Sequence, residues 1–170
     1  MLASIVSLFL AAASPAPDPS AAAAALARLR ALAGEWQGPL EWTGARTGKG
    51  TVTATYSITG GGSAVVEDLV MEGVRSMTSV YHLDGADLRM THYCGAQNQP
   101  RLKARNIDLA RGAVDFDFVD ATNLSSPRAP HVDGVELRFV DPDHFVLTFL
   151  FVAGAQRSRE QLTLARVQTR

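Results

Sequence analysis

Cysteine is all but missing: Cys94 stands alone in 170 residues. No intrachain disulfide can form, so the fold has to be held by its hydrophobic core. Lysine is almost as scarce, with only Lys49 and Lys103, and 16 basic against 17 acidic residues leave a net charge of −1. A chain so balanced has no field to draw in nucleic acid or an anionic membrane, and neither is expected as a partner. The apolar run Leu2 to Ala13 falls short of the roughly 20 residues that cross a bilayer as a helix, so no integral span is expected. Catalytic signatures are lacking too. There is no Gly-x-Ser-x-Gly elbow and no His-Glu-x-x-His, and Gly60-Gly61-Gly62 lacks the Lys-Ser/Thr and helix of a phosphate loop. No catalytic residue is assigned, and no cofactor can be named.

What is present begins with that short apolar run. Followed by small residues and by Pro15, Pro17 and Pro19, it fits the hydrophobic region of a secretory signal, with cleavage near Ala11 to Ala13, although no basic residue precedes it. Residues 1–19 are read as signal peptide and linker, 20–170 as one domain, and the protein as exported, periplasmic or secreted. Ser20 is a candidate cap for a helix through the alanine-rich stretch ending at Gly34, with Leu26, Leu29 and Leu32 recurring on it.

Beyond Gly34 the period changes to two. Strands are expected near 35–43, 49–59, 63–73, 75–83, 86–94, 101–109, 113–120, 133–141, 143–152 and 156–167, broken at Gly60–Gly62, Asp84-Gly85, Arg111-Gly112, the loop after Thr122 and Asp141-Pro142-Asp143. Val52, Ala54, Tyr56 and Ile58 share one face, as do Val114, Phe116 and Phe118, with Asp115 and Asp117 on the wet side. The segment FVLTFLFVA is apolar on both faces, so its outer side should meet the helix or, through strand 143–152, a second copy of the chain. About ten antiparallel strands with one apolar face close most naturally into an up-and-down β-barrel behind one short N-terminal α-helix.

The polar residues concentrate between Val74 and Arg105. By alternation Leu88, Met90, His92 and Cys94 point inward, His92 and Cys94 about 7 Å apart along one face. Glu67 has the parity of Val65 and Leu69, so it puts a carboxylate on an apolar face, where it needs a partner or a raised pKa. His92 or Arg101 could supply the partner. His82 lies near the Asp84-Gly85 turn and pairs away from His92, so no metal triad with Cys94 is expected. Asn98, Gln99 and Arg101 could grip a polar head group at a barrel mouth, Arg101 by a bidentate pair. The alternative reading makes Asn98 a turn residue and puts Arg101 on a wet stripe with Lys103 and Arg105. His131 and His144 read as solvated. The candidate ligand-binding residues are Glu67, Tyr81, Met90, His92, Cys94, Asn98, Gln99 and Arg101.

A short helix followed by LAGEWQG, with Gly34, Trp36 and Gly38, and then a meander of about ten strands resembles the lipocalin and fatty-acid-binding (calycin) superfamily of β-barrels. The opening Gly-x-Trp-x-Gly also resembles the nitrobindin-like haem-binding group, and THYC with NQPR resembles a set of uncharacterised exported bacterial proteins. Nitrobindin-like proteins use a histidine late in the chain as iron ligand, and no histidine follows His144 here. The resemblance therefore implies a barrel with a pocket and leaves haem and its ligand behind. In a barrel of this kind Trp36 plugs the closed end. The function expected is non-catalytic holding of a small hydrophobic or amphipathic molecule. The alternatives are a small enzyme using His92 or Cys94, and a filled structural barrel.

Overall fold

The computed structural model describes residues 19–168; the signal-peptide reading lies outside them, apart from Pro19. The order is α1 (Pro19–Arg30), β1 (Gly34–Gly44), β2 (Gly48–Thr59), a 3-10 turn at Gly60–Gly62, β3 (Ala64–Met71), β4 (Val74–Asp84), β5 (Asp87–Tyr93), β6 (Gln99–Asp108), β7 (Ala113–Thr122), β8 (His131–Asp141), β9 (His144–Ala153) and β10 (Gln156–Arg166). Each strand pairs antiparallel with the next, and β1 pairs with β10, closing the barrel. The alternation seen in the sequence has this physical cause: every strand carries one row of side chains into the core and one into water. Among these ten strands none is left as a free edge.

The β2–β3, β4–β5, β6–β7 and β8–β9 connections share the lower end of the barrel, and α1 plugs it. Ala22, Ala25, Leu26 and Leu29 are buried against the interior, Arg28 lies over the Phe139 ring and Arg30 donates to the Gly62 carbonyl. The helix differs from the sequence expectation at its C-terminal end. Its described part runs from Pro19, so the N-terminal capping expectation for Ser20 falls at the edge of the described residues. It stops at Arg30, where Leu32 and Ala33 bond back to Leu29 and Arg30, and Gly34 opens β1 instead of ending the helix.

Trp36 completes the plug. It is fully buried, donates from Nε1 to the Leu32 carbonyl at 2.7 Å, meets Phe145 edge-on at 4.7 Å and is covered by the Arg166 guanidinium. Two residues on, Gly38 lets β1 approach β10: a Cβ there would collide with the Thr163 backbone carbonyl.

The helix does not cover the outer face of β9. Being inside the lower end, it packs against β2 to β6, while the outward Thr148 is buried where Arg159 of β10 bridges to Glu136 of β8 at 2.7 Å. Near the upper end Val152 is buried beside His131 of β8, and the Arg128 carbonyl of the β7–β8 loop accepts the Gly154 N–H. Much of the two-sided apolar character of FVLTFLFVA is thus absorbed within one chain. Two further expectations change. Asp115, read as a wet-face carboxylate, is covered and bonded by Arg138 and Asn106. His131, read as solvated, is buried against Phe118 and bonded to the Ala129 carbonyl; His144 is exposed beside Asp141.

Candidate functional site

One horizontal row of inward residues crosses four strands. Tyr56 of β2 stands opposite Glu67 of β3, Glu67 opposite Ser79 of β4, and Ser79 opposite His92 of β5. Directly opposed side chains on one face of a sheet are close enough to bond, and here they form a chain. Tyr56 donates to Glu67 Oε2 at 2.6 Å. Tyr81, one row lower, donates to the same oxygen at 2.8 Å. Ser79 Oγ reaches Glu67 Oε1 at 3.0 Å and His92 Nδ1 also at 3.0 Å.

All five residues are buried, and burial dominates their electrostatics. Desolvation pushes the Glu67 carboxyl up, opposed by the hydroxyls of Tyr56, Tyr81 and Ser79. Both tyrosines are driven well above their ordinary range by burial and by the Glu67 charge, so they stay phenols and donate. Burial lowers His92 to about 3, which makes it a neutral imidazole at physiological pH.

His92 is the exception to a well-satisfied network. Its Nδ1 is tied to the wall through Ser79, its ring lies 4.9 Å from the Phe149 ring on the far side of the barrel, and its Nε2 is buried without a hydrogen-bond partner. A bare buried nitrogen of this kind costs about 1–3 kcal/mol.

Nearer the upper mouth a second inward carboxylate appears. Glu160 of β10 pairs directly with Phe149 on one side and with Trp42 on the other. Burial raises it to about 7, opposed by the Arg46 charge and by a hydrogen bond from the Trp42 indole. Arg46 lies over the Trp42 ring, 3.9 Å from its centre. Cys94 faces the same region: burial pushes its thiol up, and so does the Glu160 charge, against a 3.4 Å bond from the Ala96 N–H. A thiol held protonated in this way is a poor nucleophile.

The structure therefore brings Glu67, Tyr81 and His92 into one network, with Met90 beside it as a fully buried wall residue. It separates the remaining candidates. Arg101 is on the outer wall, gripping Asp120 through two bonds of 2.6 Å, and its guanidinium is remote from Glu67 because its parity is opposite to that of Leu102. Gln99 accepts from Thr122 on the same outer side. Asn98 is a loop clasp, donating to the Pro130 carbonyl at 2.8 Å while its carbonyl takes the Cys94 N–H. The expected partner of Glu67 was His92 or Arg101; its partners are three hydroxyls, with His92 one bond further along.

Ser79 and Tyr56 escaped the sequence reading as site residues because their role depends on cross-strand register. Glu160 carried a legible signal, since it shares the parity of Leu162 and Leu164, the same anomaly that exposes Glu67. Among the described residues no group of three or more His, Cys, Asp or Glu stands where it could hold a metal ion.

No family model matches the chain, and no curated protein does. Solved structures do. A protein of unknown function from the DUF3598 family of Nostoc punctiforme PCC 73102 aligns with a TM-score of 0.57 at 16% identity, covering 81% of this chain and 48% of its own. The chain spans about half the length of that relative. Rv2717c from M. tuberculosis aligns with a TM-score of 0.54 at 14% identity, covering 85% of this chain and 98% of its own. At such identities the likeness is one of fold, and what both share with this chain is the β-barrel.

Proposed function

We propose that the protein is an exported, non-catalytic binding protein that holds a small hydrophobic or amphipathic molecule inside a calycin-like barrel. The observation that carries this reading is His92 Nε2: a buried nitrogen, unpartnered, at the end of a network that fixes the other side of its ring. A purely structural histidine would be expected to have both nitrogens satisfied or one in water. Phe149, Met90 and Tyr81 supply an apolar surround, the usual composition of a small-molecule site with one or two placed polar groups. The short apolar run Leu2 to Ala13 supports export.

The enzyme alternative loses support from the protonated Cys94 thiol and the neutral, strongly depressed His92. The filled-barrel alternative has one observation in its favour, the complete burial of Tyr56, Tyr81, Phe116 and Phe149 within the interior. Native mass spectrometry of the protein isolated from its own source separates the two. A mass excess lost on denaturation, and absent from His92→Leu, is the expected result; it also identifies the ligand, and the mass of the chain itself shows whether a leader has been removed. A clean apo mass, together with a more stable His92→Leu, would favour the filled barrel.

A further inference from the structure

The hydrogen-bond row couples its protons, so the charge state of Glu67 decides which nitrogen of His92 carries one. Glu67 accepts from Tyr56 and Tyr81 at Oε2 and from Ser79 at Oε1. A hydroxyl has one proton. If Ser79 gives its proton to Glu67, its contact with His92 Nδ1 can only be a bond in which Nδ1–H donates to Ser79 Oγ. A neutral imidazole has one N–H, so Nε2 is then a bare lone pair. Building on the binding site proposed above, we infer that Glu67 is ionised and through Ser79 locks His92 in the Nδ1–H tautomer, making the interior site a hydrogen-bond acceptor that selects ligands with a donating head group.

Two observations support the assignment independently of any ligand. The Glu67 carboxyl is fully buried, with three hydroxyl neighbours and no basic side chain bonded to it, so hydroxyl protons are the only donors that can stabilise its ionised form. Both phenols must donate, because the oxygen they approach belongs to the carboxylate. The ligand class that matches is a hydrophobic molecule ending in an N–H or O–H donor; a ketone, an ether or an aromatic ring nitrogen would place lone pair against lone pair.

The assignment makes an unusual prediction for Glu67→Gln. The amide oxygen still accepts from the tyrosines, but the amide N–H₂ now donates to Ser79, Ser79 donates to Nδ1, and Nε2 carries the proton. One change two residues away from the ligand therefore inverts what the site recognises.

The test is long-range proton–nitrogen correlation on nitrogen-15-labelled protein, which distinguishes protonated from bare ring nitrogens, followed by titration with indole, a donor, and quinoline, an acceptor. The unaltered protein should show Nδ1–H and bare Nε2, and should bind indole about tenfold or more tighter than quinoline, the scale of one lost hydrogen bond with a buried group unpaired. Glu67→Gln should show Nε2–H and the reverse preference. Ser79→Ala, which breaks the row, should lose the single tautomer, and it serves if Glu67→Gln does not fold. Nε2–H in the unaltered protein overturns the inference, as does equal binding of the two probes at His92. Nδ1–H with neither probe perturbing His92 leaves the tautomer standing and overturns the binding reading alone.

Discussion

Glu160 and Cys94 show how burial sets the chemistry of single residues at the upper mouth. The Glu160 carboxyl is raised to about 7 in the folded protein, against 4.5 as its ordinary value. A group with a raised folded pKa favours folding fully below its unfolded value, and that contribution is lost as pH climbs through the folded value. Between pH 4.5 and 7 this residue therefore makes the protein less stable as pH rises. Glu160→Gln should be more stable than the unaltered protein by about 1–3 kcal/mol at pH 8 and by little at pH 4.5. Urea denaturation at the two values checks this, and an equal difference at both would contradict the burial of the charge. Cys94, whose thiol is pushed up and mostly covered, should react with iodoacetamide far more slowly than a free thiol at pH 7.5 and reach the free rate in denaturant; fast labelling of the folded protein would restore the nucleophile reading. Alternation marked Glu67, His92 and Cys94 as inward from the sequence because a strand reverses its side every residue. The same rule put Arg101 outside with Lys103 and Arg105, where its guanidinium is taken up by Asp120.

At the scale of elements, β1 and α1 determine whether the barrel closes and seals. Gly38 sits where β1 runs against the Thr163 carbonyl, and a methyl group there has rigid backbone to displace. Gly38→Ala should cost about 1–3 kcal/mol or more, as overpacking does, whereas Gly50→Ala, facing open space on β2, should cost under about 1 kcal/mol. Thermal unfolding of the pair tests the close approach; similar losses for both would dismiss it. The helix plug follows the same logic of contact. Leu29 is fully buried in the barrel end, so the alanine-rich helix is anchored by its few leucines and stays in place although its polar face is slight. The strand pattern was readable in nearly every case, since one-sided burial writes itself as period two. The position of α1 was not, because an amphipathic helix records that it has an apolar side but not which apolar surface it meets.

For the whole molecule, closure joins Trp36 and Trp42 on β1 to Arg166 and Glu160 on β10, partners at opposite ends of the chain. Contacts so remote in sequence make folding slow, on the order of milliseconds to seconds for β-barrels of this kind. Both tryptophans lie on the closing strand, so their fluorescence reports the seam itself. Stopped-flow refolding should show its main tryptophan change on that timescale. A change complete within about 100 microseconds would mean that the seam forms early, against the topological expectation.

The sequence by itself determined the fold class, the approximate positions of the ten strands and the inward placement of Glu67, Met90, His92 and Cys94, because each follows from a local alternation between core and water. Only the tertiary structure decided which inward residues meet. Tyr56, Glu67, Ser79 and His92 come from four strands, the first and last of them 36 positions apart in sequence, and they become one hydrogen-bonded row solely because three successive registers align them. A shift of one residue in any of those registers would turn that strand's side chains to the other face and break the row. Register is set by the sum of packing across the closed barrel, which no single stretch of sequence contains.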